Sequence, residues 1–368
     1  MEDKYSRKIC LATNYNCNLN CIYCYEKEKQ NINFDADEAL NLLKELLSTK
    51  TEFGTKIKLH GGEPFLAFKD IKKVCEGLWN TDVADYYHFH ITTNGTLIHG
   101  EIQEWLKRHS DRISVKLSID GNRFSHNLNR SNSFDSIDLP FFISTWNDLS
   151  VNMTITPQTI PYLAENVKFL HSAGVKHIIS HFALIKDWNN CGFRKTLYEQ
   201  MSQLIDFYIQ NPQVSPCHLF KADISSTLDK PCFRYSCTLS ESPSYDFQSR
   251  KYYPCYMCFP SMAGEEMSKK LLELDFTDTE SIEEEGCRNC PFINICVTCY
   301  ADNYISRGAL SKRDMCLCSY HKVIFAALFK YEYERIIRLD NPTSSDIRKM
   351  QAIQKWAHEI NSILTELS

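Results

Sequence analysis

The chain has 368 residues, 43% of them hydrophobic, 12% aromatic and 24% charged, a globular composition that excludes collagen-like, low-complexity and disordered classes. At roughly 150 residues per domain, this length allows about two domains with a full core. A net charge of -5 argues against a protein built to grip nucleic-acid phosphates, and no apolar run approaches the roughly 18 residues of a membrane helix. The opening Met1-Glu2-Asp3-Lys4 lacks the basic-then-apolar start of a signal peptide, so a cytoplasmic protein with no nucleic-acid and no membrane partner is expected.

From the N-terminus to about residue 185, six β-branched or aromatic runs alternate with helix-sized segments: Lys8 to Ala12, Lys56 to His60, Tyr87 to Thr92, Ile113 to Ser118, Val151 to Thr156 and His177 to Leu184. Between the first two, Asp35-Ala36-Asp37-Glu38 has capping-box form ahead of Leu42, Leu43, Leu46 and Leu47 at helical spacing. Pro161 opens a helix before the sixth run, and Gly174 sits just past its end. This strand-then-helix repetition predicts an α/β fold, a parallel sheet closed or partly closed as a barrel, with its working face at the C-terminal strand ends. After about residue 215, cysteine, proline and serine replace clear periodicity, as expected where metal organises the fold. Residues His321 to Leu339 and Ser345 to Leu367 then read as two amphipathic helices split by Asn341-Pro342, with Ile347, Met350, Ile353, Trp356, Ile360, Ile363 and Leu367 on one packing stripe. The expected domains are 1–215, 216–325 and 326–368.

The abnormal feature is 17 cysteines. In a reducing compartment these read as metal or cluster ligands rather than disulfides, and an odd total fits a disulfide framework poorly. Chance placement would give about 0.8 Cys-x2-Cys pairs; Cys21/Cys24, Cys255/Cys258, Cys287/Cys290 and Cys296/Cys299 all occur. The sharpest group, Cys17, Cys21 and Cys24, directly follows the first strand. Three thiolates on one loop leave one iron of a four-iron cluster open for chemistry; a zinc loop completed by a distant ligand is the alternative.

The Cys-x3-Cys-x-aromatic-Cys loop formed by Cys17, Cys21, Tyr23 and Cys24 resembles that of the radical S-adenosylmethionine (SAM) superfamily. His60-Gly61-Gly62-Glu63-Pro64 follows the second strand like the family's Gly-Gly-Glu-Pro turn, and the resemblance implies that this turn receives the SAM amino group. Thr93-Asn94-Gly95 and Ser118-Ile119-Asp120-Gly121 resemble family strand ends, making Ser118 a candidate contact to SAM. His126-Asn127-Leu128-Asn129-Arg130 resembles the family's His-Asp-x-x-Arg stretch with Asn127 in place of Asp, and Arg130 suits the SAM carboxylate. The implied fold is a partial (β/α)6 TIM-like barrel, followed here by a cysteine-rich domain and C-terminal helices. The implied chemistry is reductive cleavage of SAM to a 5'-deoxyadenosyl radical that abstracts a substrate hydrogen.

The cysteine-rich segment resembles the SPASM extension of peptide- and protein-modifying radical SAM enzymes, which holds two auxiliary 4Fe-4S clusters. Cys287-x2-Cys290-x5-Cys296-x2-Cys299 is one residue short of its signature in the last gap, Tyr253-Pro254-Cys255 matches a further segment with Arg250 where Gly is usual, and Cys318-Ser319-Tyr320-His321-Lys322 resembles its closing motif better than Cys316 does. The resemblance assigns Cys232, Cys237, Cys255 and Cys299 to the first auxiliary cluster. Cys287, Cys290, Cys296 and Cys318 go to the second, for which a structural zinc is the alternative. Cys10, Cys75, Cys191, Cys217, Cys258 and Cys316 are left as small buried or free thiols, with Cys258 and Cys316 the two best able to displace an assigned ligand. His60, His88, His90 and His181 read as ordinary core or surface histidines.

SPASM enzymes mostly act on peptides or proteins, and the expected reaction is a thioether or carbon-carbon cross-link in a ribosomally made peptide. Anaerobic sulfatase maturation by formylglycine formation is second, small-molecule dehydrogenation third, and a non-catalytic cysteine-rich zinc or electron-transfer protein the alternative of another class. The sulfatase-maturating group carries an acidic base directly after the Tyr-Pro-Cys cysteine, where this chain has Tyr256. Sixteen residues precede Cys17, so recognition is expected to use the barrel mouth, the C-terminal helices or a separate leader-peptide-binding protein. An electron donor such as flavodoxin or ferredoxin completes the expected partners.

Overall fold

The computed structural model describes residues 5–26, 29–184, 188, 191–230, 244–276, 282 and 284–367. The elements of its first half are β1 (Arg7–Ala12), β2 (Asn14–Tyr15), β3 (Gln30–Asn33), α1 (Ala36–Leu47), β4 (Thr55–His60), α2 (Phe68–Trp79), β5 (Tyr87–Thr93), α3 (Glu101–Arg108), β6 (Ile113–Ser118), α4 (Arg123–Asn129), α5 (Leu139–Thr145), β7 (Ser150–Ile155), α6 (Leu163–Ser172), β8 (His177–Phe182) and α7 (Arg194–Gln210). All six expected strands are present, with ends moved by two residues at most. The fold is α/β, as the strand-then-helix repetition predicts.

By internal contacts the chain forms two compact units, Met1–Ile119 with His126–Val151 and Thr238–Thr277, and Asp120–Ser125 with Asn152–Cys237 and Asp278–Ser368. In the first unit the strand order is β10-β9-β1-β4-β5-β6, where β9 is Ser244–Asp246 and β10 is Lys251–Tyr253. β1, β4, β5 and β6 pair in parallel, Leu11 opposite Leu59, Leu59 opposite Ile91 and Ile91 opposite Val115, and each of these side chains is buried. That alternation, apolar inward every second residue, fixes the register because a one-residue slip would turn the whole set outward.

The units cut the chain differently from boundaries drawn at 215 and 325. The β9–β10 hairpin lies within the cysteine-rich stretch, yet β9 pairs in parallel with β1, Cys10 opposite Ser244. Tyr15 donates its hydroxyl to Asp246. No periodicity signals this, because strands of three residues are too short to show one.

Helix α1 starts where Asp35 accepts from the backbone N–H groups of Asp37 (2.8 Å) and Glu38 (3.0 Å). The expected capping box is only half formed. Glu38 turns away, accepting from the Tyr245 hydroxyl (2.9 Å) and facing Arg250 (3.4 Å). Pro161 lies in a 3-10 turn, Ile160–Tyr162, that leads into α6, and Gly174 follows that helix at φ +99°, the left-handed region that glycine enters without strain.

In the second unit, β7 and β8 are neighbours. The helix Met315–Ile336 packs on α7, and its face carries a buried aromatic group: Tyr320 lies 5.2 Å from Trp188 and 5.8 Å from Phe182, ring centre to ring centre. The second C-terminal helix expected from sequence is two helices, Ser344–Lys355 and Ala357–Leu367. They part at Trp356, whose indole N–H donates to the Thr227 hydroxyl (3.2 Å), a contact no local pattern reports. Of the stripe, Ile360 and Leu367 are buried while Ile347 is 55% exposed. Among the described residues no helix is long and apolar enough to cross a membrane.

The helix Ser344–Lys355 begins with a full capping box between Thr343 and Asp346. Asp346 also accepts from Arg335 at 2.5 Å, which with the cap holds its carboxyl down at about 2. Because the folded pKa lies below the unfolded value of roughly 3.9, the stabilisation is complete above that value and lost as pH falls toward 2. Asp346→Ala is expected to cost ~2 kcal/mol near neutral pH, with the difference from wild type shrinking in urea titrations as the pH is lowered through this window.

Candidate active site and cysteine-rich sites

The cysteine loop leaves β2 at Tyr15 and is held by its own polar residues. Cys17 N–H donates to the Asn16 side chain (2.9 Å), Asn16 N–H to the Asn14 side chain (3.1 Å), and Cys24 N–H to Cys21 O (3.0 Å). The Cys17 sulfur accepts from Leu19 N–H (3.4 Å) and the Asn94 side-chain amide (3.8 Å). The same Asn94 amide donates to Asn18 Oδ1 (2.9 Å), and Asn18 donates to the Thr96 hydroxyl (2.8 Å). Lys29 closes the loop by donating to Leu19 O. Burial pushes the Cys17 thiol up to about 11 and raises that of Cys24, so without a metal both are protonated at neutral pH. Binding a metal there must release protons.

The turn after β4 lies against this loop backbone to backbone. Gly62 N–H donates to Asn14 O (3.4 Å) and Glu63 N–H to Asn16 O (2.8 Å). A Cβ on Gly61 would overlap Asn14 O; one on Gly62 would overlap Asn16 O and stand 2.9 Å from Glu26 Oε2. Glu63 itself is fully buried. Its carboxylate accepts from Phe65 N–H (3.1 Å), the Thr93 hydroxyl (2.7 Å) and Asn94 N–H (2.7 Å). Burial nevertheless pushes its carboxyl up to about 7. Glu63 thus ties the end of β5 to the turn, and through Asn94 to the Cys17 loop.

Arg130 is buried, with its guanidinium 5.2 Å over the Tyr23 ring. The segment that carries it is anchored on the same loop: Ile22 N–H donates to Asn129 O (3.0 Å) and Asn20 N–H to the Ser131 hydroxyl (2.8 Å). Ser131 and Asn132 both adopt φ +54°, an uncommon backbone for non-glycine residues that turns the chain sharply after Arg130. Asn127, standing where the family has Asp, accepts from Phe134 N–H (2.9 Å). Ser118 closes β6 and is half-buried. Tyr256 packs its ring 4.9 Å from His60 and 5.4 Å from Tyr25.

Cys255 and Cys258 lie sulfur to sulfur at 3.9 Å on one 3-10 turn, Cys258 being fully buried. Cys299 caps the helix Tyr300–Arg307, its sulfur accepting from Asp302 N–H (3.5 Å). Cys232 and Cys237, expected beside Cys255 and Cys299, lie outside the described residues. In the second unit, Cys287, Cys290 and Cys318 all lie within charge range of Cys296. Among the described residues no three His, Cys, Asp or Glu side chains converge tightly enough for a single ion; a four-iron cluster spaces its thiolates more widely. Of the cysteines left over, Cys10, Cys75 and Cys217 are buried like Cys258, and burial raises the thiols of Cys10, Cys75 and Cys217. Cys316 is disulfide-bonded rather than free.

Residues 12–197, half of the chain, match the family model of the radical SAM superfamily. The chain belongs to the radical SAM superfamily. It is 30% identical over 240 residues to an uncharacterized protein of Methanocaldococcus jannaschii, covering 61% of this chain and 82% of that one. A probable GTP 3',8-cyclase of Methanococcus maripaludis is 36% identical over 124 residues, 32% of this chain and 39% of the relative, so the match spans about two-fifths of the cyclase. Among solved structures, anSMEcpe with bound AdoMet superposes with a TM-score of 0.66 at 19% identity, over 90% of this chain and 98% of the other. SuiB of Streptococcus suis bound to precursor peptide SuiA gives 0.57 at 16%, over 85% and 76%.

This radical SAM enzyme therefore uses a 4Fe-4S cluster and SAM, the cofactors expected from its sequence, and shares the partial-barrel fold of those structures. Sequence reasoning missed two residues of weight. Asn94 was visible only as part of a strand end, whereas its amide reaches the cysteine loop across 77 positions of chain. Arg313, whose Nη1 stands 3.3 Å from the Cys296 sulfur, carries no motif at all.

Proposed function

We propose that this radical SAM enzyme modifies a ribosomally made peptide, forming a thioether or carbon-carbon cross-link after removal of a side-chain hydrogen. Cys17, Cys21 and Cys24 would hold the cluster. The donors already aimed at the Cys17 sulfur suit a thiolate, and the Gly61-Gly62 turn leaves the space that a Cβ would fill. Tyr23, Gly61, Gly62, Glu63, Ser118 and Arg130 would position SAM, the buried Arg130 beside the loop suiting a carboxylate. When bound, the cofactors supply the hydrogen abstraction and the protein supplies orientation and exclusion of water.

The observation that carries the peptide reading is the gathering of Cys287, Cys290, Cys296 and Cys318 in the C-terminal half. These four would hold the second auxiliary cluster, and Cys232, Cys237, Cys255 and Cys299 the first. The cyclase relatives align with only a third of the chain. The structures that match most of it include anSMEcpe with a bound peptide and SuiB with its precursor peptide, and Radical SAM cyclopropyl synthase TigE of Paramaledivibacter caminithermalis is 24% identical over 224 residues, 55% of this chain and 46% of TigE. Sulfatase maturation, the second reading, has the anSMEcpe fold in its favour and Tyr256 against it, since a ring packed on His60 replaces the acidic base. A flavodoxin or ferredoxin would deliver the electron, and the barrel mouth, the C-terminal helices or a separate protein would bind the leader peptide.

Coexpression with a candidate precursor peptide, taken from any short open reading frame beside the gene, tests this. Mass spectrometry should find the peptide lighter by two hydrogens per bond formed. An aldehyde in a sulfatase-motif peptide, with the neighbouring peptide unchanged, would overturn the ranking.

A further inference from the structure

Arg313 is 7% exposed, and among the described residues no carboxylate lies within ion-pair distance of its guanidinium. The carboxylate beside it, Glu284, accepts instead from its backbone N–H (2.9 Å). Nearby Arg307 is served quite differently, pairing with Asp302 at 2.9 Å and Asp314 at 3.7 Å. The guanidinium of Arg313 donates from Nη1 to the Cys296 sulfur at 3.3 Å, and its Nε is buried without a partner. A buried cation without an anion costs several kcal/mol, and a neutral thiol is a weak acceptor that offsets little of this. The arrangement becomes favourable once the sulfur is an anion. A bound metal keeps a coordinating thiol deprotonated, and so supplies that anion.

We propose that Arg313 is a positioning and potential-setting residue of the second auxiliary cluster, donating a charge-assisted hydrogen bond to the thiolate of Cys296. The inference rests on the reading that Cys287, Cys290, Cys296 and Cys318 hold that cluster. Reduction adds one electron to the cluster and moves no bond. A fixed positive charge on a ligand sulfur favours the more negative, reduced state, and hydrogen bonds to sulfur are one of the controls on cluster potential. Arg313 therefore raises the midpoint and makes this cluster the better electron acceptor.

The test uses the full chain with Cys17, Cys21 and Cys24 replaced by Ala, so that only auxiliary clusters respond, in a redox titration followed by electron paramagnetic resonance. Arg313→Gln should keep its iron and shift one midpoint downward by a tenfold change in the oxidised-to-reduced ratio, or ~59 mV for one electron. Arg313→Lys, which keeps the charge but not the fork, should fall between. Unchanged midpoints with iron retained would overturn the inference, as would loss of the cluster in both variants, which would make the residue purely structural. Cys296→Ala in the same background separates the two claims. Loss of about four iron upholds the cluster reading, and no loss removes that reading and the inference with it.

Discussion

The triple variant Cys17/Cys21/Cys24→Ala is expected to form no 5'-deoxyadenosine from SAM under dithionite, yet to keep iron. Two complete auxiliary clusters would leave about eight iron per chain. The three thiols sit on one loop that keeps its Asn14, Asn16, Asn94 and Lys29 contacts when the weaker bonds to the Cys17 sulfur are lost, so their removal should leave the fold intact. Among the described residues, the proposed auxiliary ligands Cys255, Cys287, Cys290, Cys296, Cys299 and Cys318 lie outside this loop. Iron analysis on anaerobically reconstituted protein reads the result. A value near four would mean that one auxiliary site is incomplete, most directly the one using Cys299, whose gap is a residue short. A value near zero would remove the auxiliary assignment altogether.

Gly62→Ala should lower the SAM cleavage rate by about 100-fold or more, the scale of a displacement near 1 Å at a reacting centre. A methyl there meets the Asn16 carbonyl, which is backbone and cannot rotate aside, and approaches the buried Glu26 carboxylate. Relief requires the turn and the cysteine loop to separate, breaking the bond from Glu63 N–H to Asn16 O. Gly100→Ala is the control. It places a Cβ at φ +51°, ψ -123° with nothing within 4 Å, so it should cost roughly 1–3 kcal/mol of stability and leave SAM cleavage unchanged.

The repeating part of this protein was legible from sequence because its strands are local apolar or β-branched runs, β4, β5 and β6 alternating in burial, and because Asp35 marks the start of α1. The cysteine loop and glycine turn were legible for a different reason. Their chemistry needs particular residues at short spacing, and Cys17 to Cys24 and Gly61 to Glu63 are each contiguous. What escaped depends on partners far apart in the chain. The β9–β10 hairpin is held by β1 and Tyr15, the break at Trp356 by Thr227, and the role of Glu63 as a tie to Thr93 and Asn94 by the packing of β4 on β5. Arg313 escaped most completely, since a lone arginine in a polar stretch reads as a solvated charge until its burial against Cys296 is seen.

The claim that this enzyme takes hydrogen from a peptide is tested most directly by isotope transfer. The candidate precursor peptide, deuterated at its side-chain carbons, is incubated anaerobically with reconstituted enzyme, SAM and reductant, and the 5'-deoxyadenosine is weighed by mass spectrometry. One deuterium is expected in the 5'-deoxyadenosine formed with each modified peptide. Unlabelled 5'-deoxyadenosine beside an unmodified deuterated peptide, with label arriving instead from a deuterated nucleotide or sulfatase-motif peptide, would contradict it.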